Sequence, residues 1–231
     1  MKFEQTLLPA TLLRRYKRFL ADVRLADGTL CTVHCPNSGS MAGCGVEGSP
    51  VLLSRAANPS RKYPYTWEMV YVNGGWVGIN TSRTNHLVRE AFATGVVGEI
   101  GPVDDIRAEV KVSDHSRLDL LLRQGERQIY VEVKNCTLVE NGVAMFPDAV
   151  TVRGARHLEE LAALRRQGFG AVIFFCVQRG DGEYFSPAAH IDPVYAATLR
   201  RVAAEGVTVL AYRAEVGPEA IRVAKGLPVR L

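Results

Sequence analysis

The chain has 231 residues, a 47% hydrophobic fraction and a formal net charge of +4, enough length to bury a sizeable core in one large domain or two small ones. No apolar run approaches the roughly 20 residues that span a bilayer, and Met1-Lys2-Phe3-Glu4-Gln5 lacks the apolar core of a signal peptide, so a cytoplasmic protein with no membrane contact is expected. Five cysteines, an odd number, argue against a disulfide framework; Cys31, Cys35 and Cys44 beside His34 lack the paired spacing of a zinc knuckle and are read as reduced structural thiols.

The positive charge is unevenly placed. Residues 1–80 hold nine Lys/Arg against five Asp/Glu, whereas residues 81–231 hold nineteen of each. The same first third reads as short strands and turns. Phe19, Ala21, Val23 and Leu25 alternate with polar positions, and Asp27-Gly28 turns the chain into a strand at 30–34. Further strands are expected at 51–54, 65–72 and 76–79, the last two joined by Asn73-Gly74-Gly75. About five short strands in a basic module point to an N-terminal five-stranded OB-type β-barrel over 1–80, a fold that commonly grips single-stranded nucleic acid. Arginine supplies 22 of the 28 basic residues, which favours bidentate phosphate contacts. Arg14, Arg15, Lys17 and Arg18 are the expected nucleic-acid contacts, with Arg55, Arg61 and Lys62 on a second segment; Tyr16, Tyr63, Tyr65 and Trp67 offer either base stacking or barrel core.

The texture changes after residue 80. Thr84 or Asn85 caps a helix expected to run to about 94. Strands follow near 106–112, 118–123 and 128–133, then a loop to Thr151 and a helix over 153–167 ended by Gly168. The continuous apolar run 171–178 predicts a strand covered on both faces. Pro193 opens another helix, and 207–213 is a last strand. The second domain, 81–231, is therefore an α/β (α+β) unit, a mixed sheet flanked by helices.

Two of these strands carry charge where charge is costly. Ser116-Arg117-Leu118-Asp119-Leu120-Leu121-Leu122 and Tyr130-Val131-Glu132-Val133-Lys134-Asn135 are otherwise aliphatic, and an unpaired buried charge costs several kcal/mol or more. Glu132 and Lys134 are two apart and share a strand face. Asp119 joins them from the neighbouring strand across the turn Arg123-Gln124-Gly125-Glu126. Two carboxylates and an ammonium at one point suit a hard divalent cation, Mg²⁺ or Mn²⁺, with a lysine beside the attacking water. Arg117 shares the face of Asp119 and has either a phosphate or a carboxylate to meet. Thr151, Arg153 and Arg156 open the following helix, where they can hold a phosphate at its N-terminus or stay solvated.

This pattern resembles the PD-(D/E)XK nuclease superfamily, with Arg117-Leu118-Asp119 where that family's Pro-Asp stands, Leu118 replacing Pro, and Glu132-Val133-Lys134 as its second half. Along its whole length the chain resembles the SfsA (sugar fermentation stimulation protein A) family. The residues that carry this are Arg14-Arg15-Tyr16-Lys17-Arg18-Phe19-Leu20-Ala21, Val33-His34-Cys35-Pro36-Asn37-Ser38-Gly39, Asn85-His86-Leu87-Val88-Arg89-Glu90-Ala91, Val131-Glu132-Val133-Lys134-Asn135 and Phe146-Pro147-Asp148-Ala149-Val150-Thr151-Val152-Arg153-Gly154. The resemblance implies an OB-type domain followed by a PD-(D/E)XK restriction-endonuclease-like domain. It implies Asp119 and Glu132 as metal ligands, with the Val133 carbonyl beside them, Lys134 as catalytic lysine, and Glu90 as the acid supplied by the preceding helix. The activity implied is metal-dependent hydrolysis of phosphodiester bonds in DNA or RNA. The alternative is a non-catalytic DNA-binding regulator of sugar (maltose) fermentation genes, and a homodimer is an assembly open to either.

Overall fold

In the computed structural model, which describes residues 1–231 apart from 59, 114 and 115, the first six strands form one sheet, five of them closed into a barrel. They are β1 (Leu8–Tyr16), β2 (Leu20–Leu25), β3 (Leu30–His34), β4 (Pro50–Arg55), β5 (Tyr65–Val72) and β6 (Gly75–Gly78). Their order is β3-β2-β1-β4-β5-β6, and a parallel contact between His34 and Thr66 closes β3 on β5. Closure removes the open edges a small sheet would otherwise expose. Leu12, Val23, Val33, Leu53, Trp67 and Val70 fill the interior, so Trp67 is barrel core; its indole N–H donates to the Met69 carbonyl at 2.9 Å. The five strands of the barrel differ in one member from the expected set. β1 supplies the fifth, and the strand near 76–79 is a hairpin arm added to β5 through a turn with Asn73 and Gly74 at φ +51° and +78°, the geometry of a tight two-residue hairpin.

A one-turn 3₁₀ segment, Thr81–Arg83, leads into α1 (Thr84–Ala93). Neither Thr84 nor Asn85 caps α1: its N-cap is Arg83, which makes no side-chain cap bond, and it is the 3₁₀ segment that is capped, by Asn80, whose side chain accepts from the Ser82 N–H at 3.1 Å. The second sheet then forms from β7 (Asp105–Ser113), β8 (Ser116–Gln124), β9 (Arg127–Cys136), β12 (Gly170–Val177), β14 (Thr208–Val216) and β15 (Ile221–Gly226), in the order β15-β14-β12-β9-β8-β7. The β9–β12 and β12–β14 pairs are parallel and the rest antiparallel. The parallel pairs need crossovers, supplied by α2 (Val152–Arg166) and α3 (Pro193–Ala204). The expected loop between β9 and α2 is instead partly strand. β10 (Leu138–Glu140) and β11 (Val143–Phe146) form a small sheet with β13 (Tyr184–Pro187). β14 is also not the last strand.

Both faces of the main sheet are covered. α1 sets Leu87, Val88, Ala91 and Phe92 against Leu120, Val131, Val133 and Phe174. On the other face α2 and α3 set Leu158, Leu161, Tyr195 and Leu199 against Ile173, Phe175 and Val177. β12 is buried from Ala171 to Val177, as its unbroken apolar run predicts. Each such side chain contributes roughly 1.5–3 kcal/mol of transfer free energy, and together they fix β9 rigidly between α1 and α2.

Candidate active site

Where β8 and β9 meet the barrel loop 37–39, a cavity of about 430 Å³ opens, lined by Asp119, Glu132, Val133 and Lys134 with Asn85 of α1 and Arg153 and His157 of α2. The neighbouring loop at 148 is tied to the barrel there: the Ser40 hydroxyl donates to the Asp148 carbonyl at 2.7 Å and the Met41 N–H to its carboxylate at 2.9 Å. The barrel therefore supplies one wall of the cavity.

The charged groups are placed by the sheet. Asp119 sits where β8 has parted from β9: strand pairing begins only at Leu120 opposite Val131, and the Asp119 carboxylate takes the Val133 N–H at 2.7 Å in place of a ladder bond. Its other oxygen accepts from Asn85 Nδ2 at 2.7 Å. Glu132 Oε1 accepts from Lys134 Nζ at 2.6 Å and also meets His157 Nδ1. Arg153 Nε points at His157 Nε2 at 3.4 Å; a guanidinium has only protons to give, so Nε2 is the acceptor and Nδ1 carries the proton toward Glu132. Glu132 Oε2 is buried with no hydrogen-bond partner among the described residues.

Electrostatics divide the two carboxylates. Burial, with the Glu132 charge added to it, pushes the Asp119 carboxyl up to about 6, against the opposing pull of the Val133 N–H, Asn85 and Lys134. Glu132 is more deeply buried, and burial alone would raise it, but the hydrogen bond from His157 and the charge and bond of Lys134 outweigh that and hold it below the usual range. Repulsion between two close carboxylates, one of them with an unfilled oxygen, is the imbalance that a divalent cation relieves. Among the described residues no group of three or more His, Cys, Asp or Glu side chains converges. The donor set that fits is Asp119, Glu132 Oε2 and the Val133 carbonyl. In a strand the N–H and C=O of a residue face the same neighbour, so that carbonyl lies on the Asp119 side. Oxygen donors of this kind, completed by water, suit a hard divalent cation.

Several expected site residues lie elsewhere. Glu90 does not reach the cavity: its carboxylate pairs with the Met1 amino group at 2.5 Å. Thr84 and Asn85 are the α1 residues that do, and five residues at about 100° each carry Glu90 well round the helix from Asn85. Arg117 is exposed and faces Glu109 at 3.8 Å. Thr151 caps α2, its hydroxyl accepting from the Gly154 N–H at 3.0 Å, and Arg156 pairs with Glu160 at 3.8 Å. Of the three helix-start residues only Arg153 lines the cavity. In the barrel, Arg14 is paired with Asp22 at 2.7 Å. Arg15 donates to the carbonyls of Arg18, Asn37, Gly39 and Ser40 at 2.8–3.2 Å, which makes it a brace for the cavity loop. Lys17 and Arg18 are exposed at the β1–β2 turn with φ of +49° and +61°. His157, Asn85 and Asn135 enter the site unforeseen. His157 sits on the buried stripe of α2 with Gly154, Leu158 and Leu161, and an imidazole on an apolar stripe was the available signal.

An OB-type barrel joined to a helix-flanked mixed sheet defines a two-part protein of restriction-endonuclease-like architecture. Residues 13–79 match the family model described as the SfsA N-terminal OB domain, and residues 82–220 the one described as the sugar fermentation stimulation protein RE domain. The chain is 54% identical over 231 residues, the whole of both chains, to a sugar fermentation stimulation protein homolog of Geotalea uraniireducens. It is 59% identical over 225 residues to one of Pelobacter propionicus, covering 97% of this chain and 98% of the relative. A solved structure of Pyrococcus furiosus SfsA in complex with Ca²⁺ superposes with a TM-score of 0.90 at 27% identity, covering 100% of this chain and 98% of that one. The chain belongs to the SfsA family.

Proposed function

We propose that this protein is a divalent-cation-dependent nuclease that binds DNA or RNA and hydrolyses its phosphodiester bonds in the cytoplasm. The observation that carries the reading is the pairing of Asp119 with Glu132 beside Lys134, with Glu132 Oε2 left buried and unpartnered. A Ca²⁺-bound relative of the same fold supports a divalent cation. Asp119, Glu132 and the Val133 carbonyl hold it. When bound, Mg²⁺ or Mn²⁺ lowers the pKa of a water and neutralises charge gathering on the phosphate.

The chain's own residues do the rest. Lys134 presents its ammonium group to the attacking water and to the five-coordinate phosphate, where a fixed positive charge lowers the barrier most in a dry site. His157 and Lys134 occupy Oε1 of Glu132 and so leave Oε2 for the cation. Arg153, exposed at the cavity rim, approaches a phosphate oxygen. Asn135 Nδ2, buried and unpartnered while its carbonyl oxygen is used by Gln178 at 2.6 Å, offers a further donor at the cavity wall. Both acids and the lysine are present together, which favours this over the non-catalytic regulator. The test is incubation of purified protein with labelled DNA and RNA in Mg²⁺, Mn²⁺ or chelator. Cleavage in metal and none in chelator is expected; no cleavage under any metal would leave only a binding protein.

A further inference from the structure

A second, larger cavity of about 620 Å³ lies on the far side of the barrel–helix junction. It is bounded by the first residues of the chain, the ends of β3, β4 and β5, and the 3₁₀ turn leading into α1. The wall between the cavities is one chain thick. Pro36 faces one and Asn37 the other; Ser82, Arg83 and His86 face the larger, Thr84 and Asn85 the smaller. Thr81 Oγ1 pins this wall by donating to the Pro36 carbonyl at 2.9 Å.

Its lining is cationic and incompletely used. Lys2, Arg55, Arg61 and Arg83 stand against Glu4 and Glu68. Glu68 is already saturated by Arg83 at 2.6 and 2.7 Å, Ser54 at 2.6 Å and Asn80 at 2.8 Å. Arg55 and Arg61 are exposed, and each is seen making one side-chain bond, to Tyr65 and Thr66 respectively, out of five N–H donors available. His34 Nδ1 is buried with no partner among the described residues, and buried polar atoms are seldom left so. Burial, with the Arg61 charge added, pushes the His34 pKa down, so the ring offers a neutral hydrogen bond.

We propose that this cavity holds one unpaired, phosphate-bearing nucleotide of the same strand whose backbone reaches Asp119 and Glu132, with Arg55 and Arg61 on its phosphate and His34 on its base or sugar. This deepens the nucleic-acid reading above and rests on it. The volume suits a nucleotide-sized ligand. A base reaches such a pocket from a single strand, or from a duplex only after the cost of leaving its stack is met, so single strands are the favoured substrate class.

The test compares the parent with Arg55→Glu/Arg61→Glu protein, using anisotropy of a short labelled single strand and its duplex across a salt series in chelator. The variant is expected to lose at least tenfold in single-strand affinity, and its log–log salt slope to shrink by roughly 0.7 for each phosphate no longer neutralised. Its Mn²⁺ affinity, measured by calorimetry without nucleic acid, stays at the parent value. In the parent, titration with adenosine or cytidine monophosphate shifts the His34 ring resonances before those of His157. Parent-like affinity and slope in the variant would overturn the proposal, as would duplex binding tighter than single-strand binding. A parent that binds no nucleic acid sinks this proposal and the nucleic-acid reading together. Weakened binding by the variant with no metal-dependent cleavage by the parent upholds the cavity and removes the nuclease.

Discussion

At Glu132 two donors share one oxygen, and the other oxygen is left over. On the proposed reading Glu132 is a metal ligand, and neighbours that orient such a ligand without touching the metal are typically worth 10–100-fold in metal affinity. His157→Ala should therefore weaken Mn²⁺ binding by about that factor in calorimetry, and His157→Gln, which can still donate, should recover part of the loss. Unchanged affinity in His157→Ala would make the histidine a packing residue only. Asp119 makes a second, pH-dependent prediction. Its carboxyl titrates near 6 in the folded protein and near 4 in an unfolded chain. The folded state thus keeps its proton to higher pH, and metal-free stability falls as pH rises from about 4 to about 6. The full penalty, on the order of 3 kcal/mol, is present above that window. Asp119→Asn removes the titration, so its stability relative to the parent should improve across the same interval in chelator. A flat difference would contradict the burial argument.

α2 is the element whose position matters most, because its first two turns carry Arg153 and His157. Gly154 lets it start close to Thr151 and α3: a methyl group there would stand 2.7 Å from Thr151 Cγ2 and 3.1 Å from the Tyr195 ring. Alanine in place of glycine ordinarily gains about 1 kcal/mol in a helix. Here overpacking of roughly 1–3 kcal/mol and a disturbed Thr151 cap of about 1 kcal/mol outweigh it. Gly154→Ala should lower the thermal midpoint by roughly 2–12 °C and weaken metal binding as well. A more stable variant would show that the side chains around Gly154 relax freely. The elements also mark where sequence was readable. β8, β9, β12, α2 and α3 carry long apolar periods and were plain. β1 was hidden because a register shift between Leu12 and Arg14 breaks its alternation within Arg-Arg-Tyr. β10 and β11 have three and four residues, too few to show a period. At the site, Asp119, Glu132 and Lys134 were legible as charges in apolar strands. His157 was not, since it looks like core, and Glu90 misled because motif position says nothing of which way a helix turns.

Across the whole molecule the barrel and the second sheet share a core. Leu7, Leu52 and Met69 pack in one cluster with Leu87, Val88, Phe92 and the β8–β9 aliphatics, and Gly78 N–H donates to the Gln178 carbonyl at 2.9 Å across the junction. The chain should therefore unfold in one calorimetric transition, with residues 82–231 alone less stable than in the intact protein. Two well-separated transitions would mean that the junction contributes little. The shared core also fixes the barrel loop over the cavity; on the proposed reading, that is what would bring a strand held by the barrel to the carboxylates. The central claim is that phosphodiester cleavage occurs at those carboxylates. The most direct measurement is the Mn²⁺-dependent cleavage rate of labelled single-stranded DNA and RNA by parent, Asp119→Ala, Glu132→Ala and Lys134→Ala proteins purified side by side. Cleavage by the parent and at least a hundredfold loss in each variant, all retaining the parent's fold by circular dichroism, is the predicted result. Undiminished cleavage by Glu132→Ala would contradict the account.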